Sequence, residues 1–248
     1  HAAISKAKNE LVSAKAFQIN AETYAEEQVA EIYLEYQKRL LKSAAMDFDD
    51  LLGNAVALFQ KNPEILDQYQ NRFQHILVDE YQDTNPVQNE LVIQLSSKNR
   101  NVCVVGDQDQ SIYAFRSADI RNIIEFETNF PDVTVILLEQ NYRSTQRILR
   151  VADHLISHNV RRKKKSLYTE NAEGAPVRLV EYPTCRDEAE QIALHIANEV
   201  RADGRRARDF AIFYRVNSLS RTLESSLRNA GIPYQIIRGL EFYQRREV

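Results

Sequence analysis

The segment HILVDEYQDTN, residues 75–85, joins a short apolar run to a dense polar end. Three consecutive aliphatic residues, Ile76 to Val78, lead directly into Asp79 and Glu80. An apolar run this short, bounded by polar residues, is typical of a strand buried on both faces of a parallel sheet. Carboxylates at the end of such a strand either form a turn or bind a charged ligand. The remaining sequence has to decide between these two interpretations.

The composition is that of a globular protein. The 248 residues are 44% hydrophobic and 27% charged, enough for one large domain or two ordinary ones. No stretch approaches the roughly 18 apolar residues of a membrane span, and no secretory signal opens the chain, so we expect no membrane partner. Two cysteines without pairing or metal spacing indicate a reducing cytoplasm. A net charge of −3 means that any nucleic acid is bound by local patches.

Strand and helix patterns alternate after an N-terminal helical region, residues 1–42, which is amphipathic. Strands are predicted at 75–78, 101–105, 133–138, 177–182, 209–214 and 233–237. Helices are predicted at 47–60 with Asp47 as its cap, and at 86–97, 119–128, 143–158, 186–202 and 218–230. Regular alternation of this kind predicts an α/β fold with a parallel sheet in three layers.

Three successive predicted strands end in polar clusters. The first cluster is Asp79–Glu80, the second is GDQDQSIY at 106–113, and the third is EQNYRS at 139–144. In open α/β sheets, ligands bind beyond the carboxyl ends of the strands. We therefore expect the three clusters to converge on one crevice.

The residue types in these clusters suit phosphoryl transfer. Asp79 can hold Mg²⁺, and the adjacent Glu80 can orient and deprotonate an attacking water. The amide of Gln110 can sense a γ-phosphate, and Arg143 can stabilise charge in the transition state. Tyr142 offers a face to a nucleobase. Together they predict a site that cleaves a nucleoside triphosphate.

Three motifs, VDEYQDTN (78–85), VVGDQDQSIYAFRSADI (104–120) and LEQNYRST (138–145), resemble consecutive signature motifs of superfamily 1A DNA helicases of the UvrD, Rep and PcrA type. The resemblance continues through 46–52, 210–221 and 231–248 and so covers nearly the whole chain. It implies parts of two RecA-like P-loop NTPase domains, with parallel sheets flanked by helices. Helices of an accessory domain would precede them.

The resemblance also implies domain boundaries. Residues 1–42 would end a helical accessory domain of the 1B type. Residues 43–138 would be the C-terminal half of the first RecA-like motor domain, and 139–248 the N-terminal half of the second. No G-x-x-x-x-G-K-[ST] loop occurs in the 248 residues. We therefore expect an internal fragment of a larger helicase, inactive when isolated.

For the nucleotide, the resemblance implies that Asp79 coordinates Mg²⁺ and Glu80 activates the hydrolytic water. Gln110 would couple the γ-phosphate to the DNA site. Tyr142 would lie against the base or ribose, and Arg143 would be an arginine finger of the second motor domain. ATP and Mg²⁺ are the cofactors implied.

For the nucleic acid, it implies that Tyr113 and Phe115 stack on bases of single-stranded DNA beside Arg116, whereas a core position is the alternative for Phe115. Arg215 and Asn217 would line the DNA track. The family usually has Trp at the position of Phe115, and Gly at the positions of Ser117 and Arg238.

The leading prediction is the central portion of an ATP-dependent DNA helicase that moves 3′ to 5′ on single-stranded DNA and unwinds duplex in repair or replication. Its partners would be single strands, duplex junctions, and DNA-repair or transcription proteins. Two alternatives stay open: the helicase subunit of a recombination helicase–nuclease, and a catalytically silent module that binds DNA or a repair partner. Two features receive structural interpretations, Cys103 as a small core residue and RRKKK at 161–165 as a solvated loop.

Overall fold

The computed structural model describes residues 1–159, 165–202 and 204–237. The chain divides into two compact units, His1–Ala175 and Pro176–Val248. Over the described ranges it is rich in helix and carries a small parallel sheet, which agrees with the predicted α/β class. Within the same ranges, no helix combines the length and apolarity needed to cross a bilayer.

The first unit begins with three helices, α1 (Ala2–Asn9), α2 (Ala14–Ile19) and α3 (Tyr24–Lys42), as predicted for this region. Ser13 caps α2, and Thr23 with Glu26 forms a capping box on α3. The helices pack around a small apolar core made of Ile4, Ala7, Ala14 and Tyr33.

Three further helices pack on one another, α4 (Phe48–Lys61), α5 (Pro63–Arg72) and α6 (Pro86–Ser96), and α6 also packs on the sheet. Asp47 caps α4 as predicted, since its Oδ1 accepts a hydrogen bond from the backbone N–H of Asp50 at 2.8 Å. Helix α5 was not predicted from the sequence. It starts with Pro63 at its first position, where the missing N–H costs nothing.

The sheet consists of β1 (Ile76–Val78) and β2 (Val102–Val104), which pair in parallel with Ile76 opposite Val102. Both strands were predicted. The expectation that β1 is buried on both faces was wrong, because Leu77 is 78% exposed. Side chains alternate along a strand, so one face packs on Tyr81, Phe126 and Phe130 while the other carries Leu77 and Cys103. The core position expected for Cys103 was therefore also wrong.

The other four predicted strands, 133–138, 177–182, 209–214 and 233–237, are not strands in the described residues. Their apolar composition favours extended backbone, but a strand also requires a neighbouring backbone to pair with. Residues 133–138 illustrate this, since Ile136 and Leu138 are largely exposed. The described residues hold only the two-stranded ladder, so the predicted three-layer sheet is not formed there.

The rest of the first unit contains α7 (Arg121–Ile124), α8 (Phe126–Asn129) and α9 (Gln146–Ile156). The single helix predicted at 119–128 is thus two short ones, divided at Glu125. The helix predicted from 143 begins three residues later.

The second unit contains α10 (Cys185–Ala202) and α11 (Ser220–Asn229), close to the bounds predicted for both. They pack through Ala193, Ile196 and Leu227. Partly buried residues from the extended segment before α11, Phe210 and Ile212, lie against this core.

Candidate nucleotide and nucleic-acid site

Parallel pairing places the carboxyl ends of β1 and β2 side by side. Beyond the strands, the N–H of Val105 donates to the carbonyl of Val78 at 2.8 Å. The N–H of Tyr81 then donates to the carbonyl of Val105 at 3.0 Å. The first two polar clusters, Asp79–Glu80 and the one that opens with Gly106, are therefore brought together.

Asp79 and Glu80 form an exposed carboxylate pair on a tight turn. Asp79 Oδ1 accepts a hydrogen bond from the N–H of Glu80 at 2.9 Å. Glu80 adopts the left-handed conformation, with φ of +51°, which costs a residue with a Cβ about 1–2 kcal/mol. The next residue offsets this cost, because Tyr81 is fully buried and packs edge-on against Phe126 at 5.5 Å between ring centroids. Burial raises the pKa of Tyr81 to about 12.

Gln82 bridges the two strand ends and was not singled out by the sequence. Its Nε2 donates to Glu80 Oε2 at 2.7 Å, and its Oε1 accepts from the N–H of Asp107 at 2.9 Å. Gly106 makes this approach possible. A Cβ on Gly106 would lie 2.6 Å from Gln82 Oε1, closer than real Cβ atoms come.

Gln110 is held by the carboxylate of Asp107. Gln110 Nε2 donates to Asp107 Oδ2 at 2.9 Å, and the N–H of Asp109 donates to Asp107 Oδ1 at 3.0 Å. Lys165 also binds Asp107 Oδ1 and lies 3.2 Å from Asp109 Oδ2. Burial is the largest single influence on the pKa of Asp107 and raises it. The hydrogen bonds from Lys165, Gln110 and the Asp109 backbone outweigh burial and lower that pKa.

Lys165 is the one described residue of the basic run, and it departs from the solvated loop expected there. It is the last residue of RRKKK, and its side chain is mostly buried against two carboxylates. An ion pair across 58 positions leaves no signal in local sequence pattern. Residues 161–164 and Arg238 lie outside the described residues.

The third cluster lies on a loop rather than at a strand end. Its backbone pairs with the segment around Tyr168, whose N–H donates to the carbonyl of Glu139 at 3.0 Å. Asn141 Oδ1 accepts from the N–H groups of Arg143 and Ser144 at 3.0 and 2.8 Å. Tyr142 and Arg143 are both exposed.

The structure joins this third cluster to the second. Ser166 N–H donates to Glu139 Oε1 at 3.0 Å, and the neighbouring residue is Lys165, which binds Asp107. The three clusters were expected at three strand ends. The first two do lie at the ends of β1 and β2, but the third lies on a loop that is bonded to the second cluster through residues 165 and 166.

The aromatic pair lies after the second cluster. The rings of Tyr113 and Phe115 are 5.9 Å apart at 40°, and the guanidinium carbon of Arg116 lies 5.4 and 5.5 Å from their centroids. Phe115 is 78% exposed, so its alternative assignment to the core is wrong. An exposed pair of rings beside a cation is a surface on which bases can stack.

Two anchors fix the aromatic segment to the turn that carries Glu80. On one side, Ser111 Oγ donates to the carbonyl of Gln82 at 3.4 Å. On the other, the N–H of Asp119 donates to the carbonyl of Thr84 at 2.9 Å. The turn that carries Glu80 and the exposed aromatic pair are thus parts of one connected loop system.

Arg215 and Asn217 belong to the second unit. Both are exposed, and they lie two positions apart where the extended segment turns into α11. Ile212 and Tyr214 alternate with them and are half-buried. The alternation directs Arg215 away from the core of this unit.

Sequence comparisons agree with this geometry. A model of the UvrD/REP helicase N-terminal domain matches residues 1–131, and one of the UvrD-like helicase C-terminal domain matches 136–248. The chain is 47% identical over 245 residues to the ATP-dependent DNA helicase PcrA of Bacillus subtilis, covering 99% of this chain and 33% of that protein. It is also 47% identical over 246 residues to the PcrA of Staphylococcus aureus strain Mu50, covering 99% and 34%. The chain spans about a third of the length of these curated relatives.

Proposed function

The chain belongs to the UvrD/REP helicase family, and on that premise we propose that it is part of an ATP-dependent DNA helicase. One observation carries the proposal. The pairing of β1 with β2 sets Glu80 beside the turn that bears Gln110, and that turn continues directly into the exposed pair Tyr113 and Phe115. A carboxylate for hydrolysis and a platform for bases are therefore mechanically connected.

At the nucleotide, Glu80 orients the attacking water and accepts its proton. Gln110 responds to the γ-phosphate, and its link to Asp107 passes that response back to the strand end. Arg143 neutralises charge that develops on the transferred phosphoryl group. Tyr142 is mostly exposed and supplies a face for the base or ribose.

Asp79 is the residue that would hold Mg²⁺. No group of three or more His, Cys, Asp or Glu side chains in the described residues forms a cage for a metal. Mg²⁺ does not need one at such sites, because one or two carboxylates, waters and substrate phosphates complete its shell. The exposed carboxylate of Asp79 fits that mode, in which the ion would neutralise phosphate charge.

At the nucleic acid, Tyr113 and Phe115 stack on bases of a single strand, with Arg116 between the rings and the phosphates. Arg215 and Asn217, both exposed, line the DNA track. Sequence-tolerant stacking suits a motor that must accept any base.

In the proposed architecture, residues 1–42 end an accessory domain, 43–138 complete the first RecA-like domain and 139–248 begin the second. Hydrolysis between the two motor domains drives 3′ to 5′ movement towards duplex junctions. The protein acts in the cytoplasm together with DNA-repair or transcription proteins. The alternation of grip between the two motor domains is what links hydrolysis to movement.

The test is a grafted helicase, in which these 248 residues replace the matching segment of the Bacillus subtilis relative. We expect Glu80→Gln to lower ATP turnover at least ~100-fold, the usual size of general-base catalysis, and to leave nucleotide affinity within about threefold. Glu31→Gln is the matched control, since Glu31 is exposed in the middle of α3. Normal turnover with Glu80→Gln, or equal loss with the control, would contradict the assignment.

A further inference from the structure

We propose that Gln82 is a positioning residue that holds the Glu80 carboxylate in place and couples it to the turn bearing Gln110. The proposal concerns how the site is built and rests on the proposed function for what Glu80 does. Gln82 is 1% exposed, so its amide exchanges no hydrogen bonds with bulk water. Both ends of the amide are used inside the protein instead.

The orientation of the Gln82 amide is dictated by its partners. The backbone N–H of Asp107 can only donate, so the group that faces it at 2.9 Å must be Oε1. The NH₂ group is then directed at Glu80 Oε2, 2.7 Å away. A flipped amide would set N–H against N–H and oxygen against carboxylate, losing both bonds. The backbone N–H of Asp107, just after β2, thereby determines that Gln82 presents its NH₂ group to Glu80.

The fit around Gln82 leaves its amide little room to move. Gly106 presents no Cβ, and any Cβ there would lie 2.6 Å from Gln82 Oε1. A buried amide with both ends bonded is costly to break, since each orphaned group loses its partner without gaining water. We therefore expect the Gln82 amide to hold Glu80 in one orientation as long as the Asp107 turn stays in place.

The same amide makes Glu80 part of a relay. Glu80 binds Gln82, Gln82 binds the N–H of Asp107, and Asp107 Oδ2 binds the side chain of Gln110. A displacement of Gln110 is transmitted through the Asp107 turn to the Glu80 carboxylate. Gln82 thus links the proposed phosphate-sensing residue to the proposed base.

Two substitutions separate the halves of this relay. Gln82→Met keeps the length of the side chain and removes both bonds. Gln82→Glu keeps an oxygen for the Asp107 N–H but removes the donor to Glu80 and adds repulsion. Both variants therefore lose the hydrogen bond to Glu80, but only Gln82→Met also loses the hydrogen bond from the Asp107 N–H.

The first measurement is amide hydrogen exchange in the 248-residue chain. In Gln82→Met we expect the Asp107 amide to exchange at least ~10-fold faster, because its acceptor is gone. The Val105 amide, bonded to Val78, is the internal control and should keep its rate. In Gln82→Glu the Asp107 amide should stay protected. If the Asp107 amide exchanges at an unchanged rate in Gln82→Met, Gln82 does not bridge Glu80 and Asp107. If the Val105 amide also exchanges faster, the substitution has loosened the fold, and the role of Gln82 is merely structural.

The second measurement is turnover in the grafted helicase. Both variants should lower kcat by ~10–100-fold, the usual size for a residue that orients a reacting group, with KM for ATP nearly unchanged. In a Glu80→Gln background, Gln82→Met should cause no further loss in single-turnover hydrolysis, because nothing remains to position. Multiplicative losses would show that Gln82 acts independently of Glu80 and overturn the proposal. If the grafted helicase without any substitution is inactive, the proposed function is contradicted instead. The hydrogen-exchange result would still show whether Gln82 bridges Glu80 and Asp107.

Discussion

Asn85 Nδ2 donates a hydrogen bond to Asn9 Oδ1 over 2.6 Å, across 76 positions of the chain. Asn9 also donates to Asp49 Oδ1 at 2.9 Å, and the adjacent Lys8 binds Asp50 at 2.8 Å. One polar network therefore connects α1 and α4 to the residue that caps α6, directly after the turn that carries Glu80. Buried polar partners accept few alternative geometries, so this network sets the position of α1 against the candidate site.

Lys8 is the charged centre of that network and gives the first prediction. Its side chain is 5% exposed and lies 2.6 Å from Asp47 Oδ2 and 2.8 Å from Asp50 Oδ1. Lys8→Met should lower the free energy of unfolding by about 3–5 kcal/mol, because two largely buried carboxylates lose their counter-charge. Urea unfolding of the chain measures it. Lys6→Met is the control on the same helix, since Lys6 is exposed, and a similar loss there would contradict the prediction.

The stability of the same region should fall in acid. Burial raises the pKa of Asp47, but hydrogen bonds from Lys8, the Asp50 backbone and Tyr36 outweigh it and lower that pKa below the ordinary 3.8. As pH falls, the Asp47 carboxylate is therefore protonated in the unfolded chain before it is protonated in the folded protein. The stabilisation from Asp47 is complete above pH ~4 and is lost as pH falls through its lower pKa in the folded protein. Unfolding followed between pH 6 and 2 measures the slope. In Lys8→Met the contribution of Asp47 to that slope should shrink, and an unchanged slope would remove Lys8 as its cause.

Phe115→Ala should weaken binding of single-stranded DNA by about tenfold or more, because one base–aromatic stack contributes ~1–3 kcal/mol. A fluorescence titration with labelled single strands, in the grafted helicase, measures the affinity. Phe48→Ala is the matched control, because Phe48 is also an exposed ring, at the start of α4. The thermal midpoint of both variants should stay near that of the parent. Equal weakening by the control, or weakening that only follows lost stability, would count against stacking at Phe115.

The 248-residue polypeptide by itself should not hydrolyse ATP. None of its six glycines is followed by the Lys-Ser/Thr pair of a phosphate-binding loop, whose backbone N–H groups cradle the triphosphate. Steady-state phosphate release with Mg²⁺ and saturating single-stranded DNA tests this. Turnover that disappears with Glu80→Gln would show that the loop is dispensable.

Ser117 has φ of +64°, a conformation that costs a residue with a Cβ about 1–2 kcal/mol and costs glycine nothing. This explains why glycine suits the position. Ser117→Gly should stabilise the first unit by ~0.5–1 kcal/mol, after the greater flexibility of glycine in the unfolded chain is counted. Chemical unfolding measures it against Ser225→Gly, inside α11, which should destabilise by about 0.5 kcal/mol. If both substitutions change the free energy of unfolding in the same direction, the positive φ of Ser117 is not the explanation.

Local sequence chemistry predicted the helices well and the strands poorly. Helix α4 follows from apolar periodicity and the Asp47 cap, which lie within a few residues of each other. Residues 133–138 carry an apolar composition as strong as that of β1, but they form no strand in the described part of the chain. A strand depends on a partner backbone, which local composition does not encode.

The candidate site divides in the same way. Parallel strands predicted that Asp79–Glu80 and the second cluster meet, because their carboxyl ends share one edge. Gln82 and Lys165 were missed because their contacts with Asp107 span 25 and 58 positions. Gly106 carried the one available signal, a glycine directly after the predicted strand 101–105, which indicates close approach by another group.

The outward face of β2 has a practical consequence. Cys103 lies on it, Cys185 begins α10, and these are the two cysteines of the chain, both exposed and one in each unit. A donor and an acceptor fluorophore attached through maleimide chemistry would therefore mark the two units without any engineered residue. The emission of each fluorophore then reports changes in the surroundings of its own unit as DNA is added.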